Sequence, residues 1–192
     1  ELGLDERTVT VFFSDNGPWS NAPDRSYQEG QSMWDTGSAG LLRGAKASTW
    51  EGGIRVPGII RWPGTIPSGQ VSADIVSELD FLPTIAQLAG ATVPSDRPVN
   101  GLDLRAFLRG AEPSPRQELF YLNSLSDLQA VRAGRWKFHA SGEGKGQLFD
   151  LERDPGERLD VADRYPEVVS TLQTRVTDFG RQIPPRRAPG AN

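Results

Sequence analysis

Residues 8–14 hold Val9, Val11, Phe12 and Phe13 with only Thr8, Thr10 and Ser14 polar, and a run this apolar and β-prone predicts a buried strand. A second apolar run, residues 54–62, carries Ile54, Val56, Ile59, Ile60 and Trp62, and Pro57 within it predicts an edge position or a bulge. Between the two, residues 15–53 are rich in Gly, Ser and Trp and show little period; a loop that long in a compact domain is usually functional or disordered.

Downstream the period lengthens. Asp80 stands as a candidate N-cap, Pro83 falls in the first turn and Gly90 supplies a stop, so a short helix is predicted with Leu82, Ile85, Ala86 and Ala89 on its core face. Residues 103–110 repeat the logic with Leu104, Phe107 and Leu108. From residue 117 the pattern shortens to strands over 117–122, 128–133, 135–140 and 147–151, with a hairpin at Ala133-Gly134. Val168, Leu172, Val176 and Phe179 then recur at helical spacing. The C-terminal part therefore reads as a small antiparallel sheet with one covering helix. The joint is placed within residues 91–100, which hold Pro94, Asp96 and Pro98, giving domains 1–100 and 101–183 and a flexible Pro/Arg-rich tail over 184–192.

Composition narrows the partners. A net charge of −4 gives no general reason to expect nucleic acid or an anionic membrane surface. No run approaches the roughly 18 apolar residues of a membrane span, and no targeting signal precedes the first strand. The chain has no cysteine, which excludes disulfides, thiolate metal sites and cysteine nucleophiles within it.

The candidate chemistry lies in the long loop. Asp15-Asn16-Gly17 reads as a turn, yet Pro18-Trp19-Ser20 does not supply the return strand of a hairpin. A carboxylate and an amide carbonyl at the end of a strand also suit a hard divalent cation, which takes oxygen ligands. Both readings stand on these residues alone. Further on, Gly44, Gly52 and Gly53 are interleaved with Arg43, Lys46 and Arg55, which makes an oxyanion site without the spacing of a Walker loop. Only Lys46, Lys137 and Lys145 are lysines in a chain that otherwise uses arginine, so Lys46 is either a solvated surface charge or a compact donor to a single oxygen. His139, the only histidine, has no partner at a known catalytic spacing and reads as structural or superficial. Trp19, Trp34, Trp50 and Trp62 crowd the first third, as core residues or as a platform for a sugar or aromatic ring.

Taken in order, Ser14-Asp15-Asn16-Gly17, Gly44-Ala45-Lys46, Glu51-Gly52-Gly53-Ile54-Arg55-Val56-Pro57 and Leu79-Asp80-Phe81-Leu82-Pro83-Thr84-Ile85 resemble the C-terminal half of a type I, formylglycine-dependent sulfatase. Residues 130–137 and 148–157 extend the resemblance over nearly the whole chain, with most similarity to the arylsulfatase A and N-acetylgalactosamine-6-sulfatase branch. The resemblance implies an α/β fold: part of an alkaline-phosphatase-like core sheet, followed by the small antiparallel sheet and its helix. It implies that Asp15 and Asn16 ligate calcium, that Lys46 is a catalytic and substrate-binding residue on a sulfate oxygen, and that Glu51 and Arg55 shape the loop.

The family's Cys/Ser-x-Pro/Ala-x-Arg segment, source of the formylglycine nucleophile, is not in this sequence, nor are the N-terminal aspartates that complete the metal site. The resemblance therefore implies a C-terminal fragment of a sulfuric ester hydrolase acting on aryl or carbohydrate sulfate esters, inactive alone, whose partner is the N-terminal half. It suggests a periplasmic or secreted location. Two rival readings are a related phosphatase or phosphonate monoester hydrolase, and a non-catalytic module that binds sulfated glycans.

Overall fold

In the computed structural model, which describes residues 2–20 and 32–184, strand β1 spans Thr10–Phe13 and strand β2 spans Gly58–Arg61. They pair with each other antiparallel, Thr10 opposite Arg61 and Phe13 opposite Gly58. Strand β2 is shorter than the 54–62 run because Glu51–Ile54 coil into a helical turn, α1, and Pro57, which has no N–H to give a ladder, stands just before the strand. Nor is β1 buried as its composition predicts. Phe12 is 64% exposed and Ile59, opposite it, 61%, so this two-stranded ribbon presents apolar side chains to the surface.

Helix α2, Phe81–Leu88, forms where the pattern places it but buries another face. Leu82 and Ile85 are more than half exposed, whereas Pro83 and Thr84 are buried. The reason is polar: the Thr84 hydroxyl donates to the Asp80 carbonyl oxygen at 2.6 Å and accepts from the Leu104 amide at 2.9 Å, just before helix α3, Arg105–Leu108. Asp80 does not cap α2 with its side chain. Its carboxylate, wholly buried, accepts from the amides of Ser77 and Leu102 and pairs with Arg116.

The remaining strands form one antiparallel sheet in sequence order: β3, Glu118–Leu122; β4, Leu128–Ala133; β5, Trp136–His139; and β6, Leu148–Asp150. Ala133 faces Trp136, so the hairpin turns on Gly134-Arg135, one residue beyond the expected pair, with Gly134 at φ +55°. Helix α4, Pro166–Gly180, covers one face, where Val131, Phe138 and Leu148 meet Val161, Leu172 and Val176. Phe120 stacks on Phe179 with ring centroids 3.9 Å apart. Side chains alternate across a strand, so Lys137 and His139 point away from α4. That face is not wet: residues 49–51 and Glu157 cover it, and both side chains are buried.

The chain folds as two compact units, one of residues 1–14 and 57–119, the other of residues 15–56 and 120–192. The second joins the Asp15-to-Arg55 loop to the four-stranded sheet and α4. Residues 21–31 of that loop and the expected tail from 185 onward lie outside the described residues.

Candidate active site

The site is built around α1. Its first residue, Glu51, follows Trp50 in extended conformation, and the next two are glycines set against the neighbouring loop. The Gly52 amide donates to the Arg43 carbonyl oxygen at 2.7 Å. A Cβ on Gly52 would stand 2.5 Å from the carbonyl oxygens of Arg43 and Gly44, and one on Gly53 equally close to those of Ala45 and Ser48. Only glycine fits either position.

The Asp15-Asn16-Gly17 turn docks on the other side of α1. The Gly17 amide donates to the Gly53 carbonyl oxygen at 2.9 Å, and a Cβ on Gly17 would overlap the carbonyl oxygen of Gly52. One residue on, the Pro18 carbonyl accepts from the Lys46 amide at 2.9 Å. The two motifs are thus brought together, although about 30 residues of chain separate them. Asn16 is half-buried and donates from Nδ2 to the Gly17 carbonyl at 2.9 Å, while Asp15 is exposed. Lys46 is half-buried, its Nζ 5.2 Å from the centroid of the Trp19 ring, and the next residue, Ala47, holds a left-handed φ of +72°.

A metal at this turn would draw on Asp15 and Asn16, which are hard oxygen donors of the kind calcium takes. Among the described residues no group of three or more His, Cys, Asp or Glu side chains could hold an ion. A full calcium shell needs about six to eight oxygens, so these two fit as part of a shell and not as a whole one.

Beneath α1 lies a buried cluster of charges that the sequence reading missed. Lys137 Nζ is 2.9 Å from Glu51 Oε1 and 3.0 Å from Glu157 Oε1, with all three side chains buried. Glu157 Oε2 accepts from the Glu51 amide at 2.6 Å, and Oε1 also receives His139 Nε2 at 3.0 Å. The Tyr121 hydroxyl donates to Glu51 Oε1 at 3.4 Å, and burial together with the Glu51 charge raises its pKa well above the usual phenol value. Glu51 Oε2 has no hydrogen bond among the described residues; guanidinium nitrogens of Arg55 and Arg132 each lie 3.9 Å from it. Glu51 therefore does shape the loop. A usable signal existed in Trp136-Lys137-Phe138-His139, where a lysine and the one histidine alternate with aromatic residues in a chain that favours arginine.

The other candidates sort themselves. His139 is structural, buried with its ring 4.2 Å from that of Trp50, and Trp50 is core, with the Arg43 guanidinium 3.6 Å over it. Trp19 is exposed, Trp62 donates from Nε1 to the Glu6 carbonyl, and the side chain of Trp34 lies outside the described residues. Lys145 is exposed in the 142–147 turn.

The cluster is sensitive to acid. Burial lowers the His139 pKa below the ordinary imidazole value, outweighing the opposing hydrogen bond to Glu157, and the Lys137 charge lowers it further. Burial acts to raise the Glu157 carboxyl, but the His139 hydrogen bond, the Lys137 charge and the Glu51 amide hold it below the usual range. Both groups bind fewer protons folded than unfolded, so stability rises with pH. The His139 share is complete above its unfolded pKa of about 6.5 and is lost as pH falls through the lower folded value; the Glu157 share goes further down, below about 4.3. The melting temperature is expected to drop as pH falls below about 6.5, and His139→Gln to flatten that drop. An identical profile in the variant would place the titrating group elsewhere.

Comparison with known proteins gives this geometry a class. The fold matches that of the PsFucS1 sulfatase from Pseudoalteromonas sp., with a TM-score of 0.78 and 27% identity over 93% of this chain and 38% of that one. Residues 1–91 match the family model described as Sulfatase. Human arylsulfatase A is 37% identical over 203 residues, 90% of this chain and 38% of that protein. Mouse steryl-sulfatase is 38% identical over 90% of this chain and 32% of its own length. This chain belongs to the sulfatase family, and what it matches is the C-terminal part of such a protein. It spans about a third of the length of these relatives.

Proposed function

We propose that the protein to which this chain belongs hydrolyses sulfate esters, aryl or carbohydrate, and that this part supplies Lys46 and two metal ligands. The observation that supports the reading best is the docking of the Asp15-Asn16 turn against the Lys46 loop through the Gly17–Gly53 and Lys46–Pro18 hydrogen bonds. Lys46 carries an ammonium able to contact one sulfate oxygen, and such a donor stabilises charge that shifts onto the oxygens in the transition state. Asp15 and Asn16 would hold calcium, which when bound neutralises the sulfate group. The remaining ligands and a formylglycine nucleophile would come from a segment outside this sequence.

The test sets paired esters of one alcohol, p-nitrophenyl sulfate and p-nitrophenyl phosphate, against the complete protein. Sulfate release with the higher kcat/KM is expected. A preference for the phosphate would favour the related phosphatase instead, and sulfated-glycan binding without turnover would leave only a binding module.

A further inference from the structure

The buried charges under α1 have no direct access to a substrate, and their arrangement is costly. Taking ions out of water is unfavourable unless geometry and further hydrogen bonds compensate. Glu157 also adopts φ +51°, a left-handed conformation uncommon outside glycine, while its side chain is wholly buried. Hydrophobic side chains of similar volume would fill the same space without burying charge.

What the charges hold is specific. Glu157 Oε2 takes the first amide of α1, and Lys137 ties the Glu157 carboxylate to that of Glu51. From α1 the chain of contacts continues through the Gly53 carbonyl to the Gly17 amide, and through the Pro18 carbonyl to the Lys46 amide. Arg43 adds a second tie, its Nη1 donating to the Glu157 carbonyl at 3.3 Å, while its own carbonyl accepts from Gly52. The Tyr121 hydroxyl, 3.4 Å from Glu51 Oε1, adds a longer contact from strand β3 to α1.

We propose that Lys137 and Glu157 are positioning residues, which fix α1 and thereby set the Lys46 loop and the Asp15-Asn16 turn in register with each other. The inference rests on the reading of Lys46 as a sulfate-binding residue. Lys137 and Glu157 touch no reacting atom. They act through the backbone of residues 51–53, where a shift of a fraction of an ångström passes to Lys46 because the glycine contacts leave no slack. Misplacement on that scale is known to cost rate out of proportion to distance.

The test is a double-mutant cycle in the complete protein, with Lys46→Ala, Lys137→Met and the pair, each shown to be folded and equally converted at the nucleophile. Lys46→Ala is expected to lower kcat by about 10²–10³, and Lys137→Met by about 10- to 100-fold with little change in KM. In the Lys46→Ala background, Lys137→Met should cost less than about twofold more, because the group it positions is gone. Lys137→Arg should restore part of the kcat, since it returns the cation. If Lys137→Met does not fold, Glu157→Gln takes its place, as it keeps the volume and an acceptor for the Glu51 amide. A full additional loss in the double variant, or an unchanged kcat in folded Lys137→Met, would overturn the positioning role and leave the Lys46 reading intact. Wild-type kcat in Lys46→Ala would overturn both.

Discussion

Lys46→Ala, assayed in the complete protein on a sulfate ester, is expected to reduce kcat by about 10²–10³, or about 2.7–4 kcal/mol of transition-state stabilisation. The magnitude follows from where the ammonium acts. If it meets a sulfate oxygen in a site closed to water, its attraction grows as charge moves onto the oxygens, so kcat should fall more than KM rises. Lys145 is the comparator, exposed in a turn of the same unit, and Lys145→Ala should leave turnover within experimental scatter. Lys46→Arg should recover little, because a planar fork reaches further and is shaped for two contacts. Equal turnover in the two alanine variants would return Lys46 to the solvated surface.

Gly17→Ala should be nearly as damaging by a different route. The added methyl would overlap the Gly52 carbonyl oxygen, and both sides of the contact are backbone, so no side chain can swing away. Overpacking of this kind costs about 1–3 kcal/mol of stability. Relief would have to come from separating the Asp15-Asn16 turn from α1, which loosens both arms of the site, so turnover is expected to fall about 100-fold or more. Gly58→Ala is the control: a Cβ there meets nothing within 4 Å, and its stability should change by less than about 0.5 kcal/mol. A Gly17→Ala protein with wild-type melting temperature and turnover would show that the contact yields more easily than its geometry allows.

The elements with a strong local period were legible in the sequence. Val168, Leu172, Val176 and Phe179 gave α4, and the strand runs after residue 117 gave the sheet, because each face there is decided by its own residues. Asp15, Asn16 and Lys46 stood out in the sequence because they belong to short patterns, and the structure draws their two segments together. What failed was any assignment of faces that depends on a distant partner. Leu82 and Ile85 look like a core stripe, yet the hydrogen bonds of Thr84 turn the helix the other way. Lys137 and His139 look like the wet side of a strand, and are dry because Glu51, 86 residues before Lys137, and Glu157, 18 residues after His139, come to cover them. Ile54 looks like the start of a strand, but two glycines and a buried glutamate before it close a helical turn that β-propensity does not foresee.

The Glu51 amide and the Glu157 carboxylate that receives it are 106 residues apart in the chain. At a synthesis rate of about 5–20 residues per second, the Lys46 loop leaves the ribosome roughly 5–20 s before the group that fastens α1 exists. Until Lys137 follows, Glu51 has only the longer contact to Arg55 to offset its burial, and its two glycines keep the loop open to many conformations. Closing so long a connection is itself slow, since its entropy must be spent before any contact repays it. The Lys46 loop is therefore expected to be among the last parts of this chain to set, waiting on Lys137 and Glu157 from far downstream.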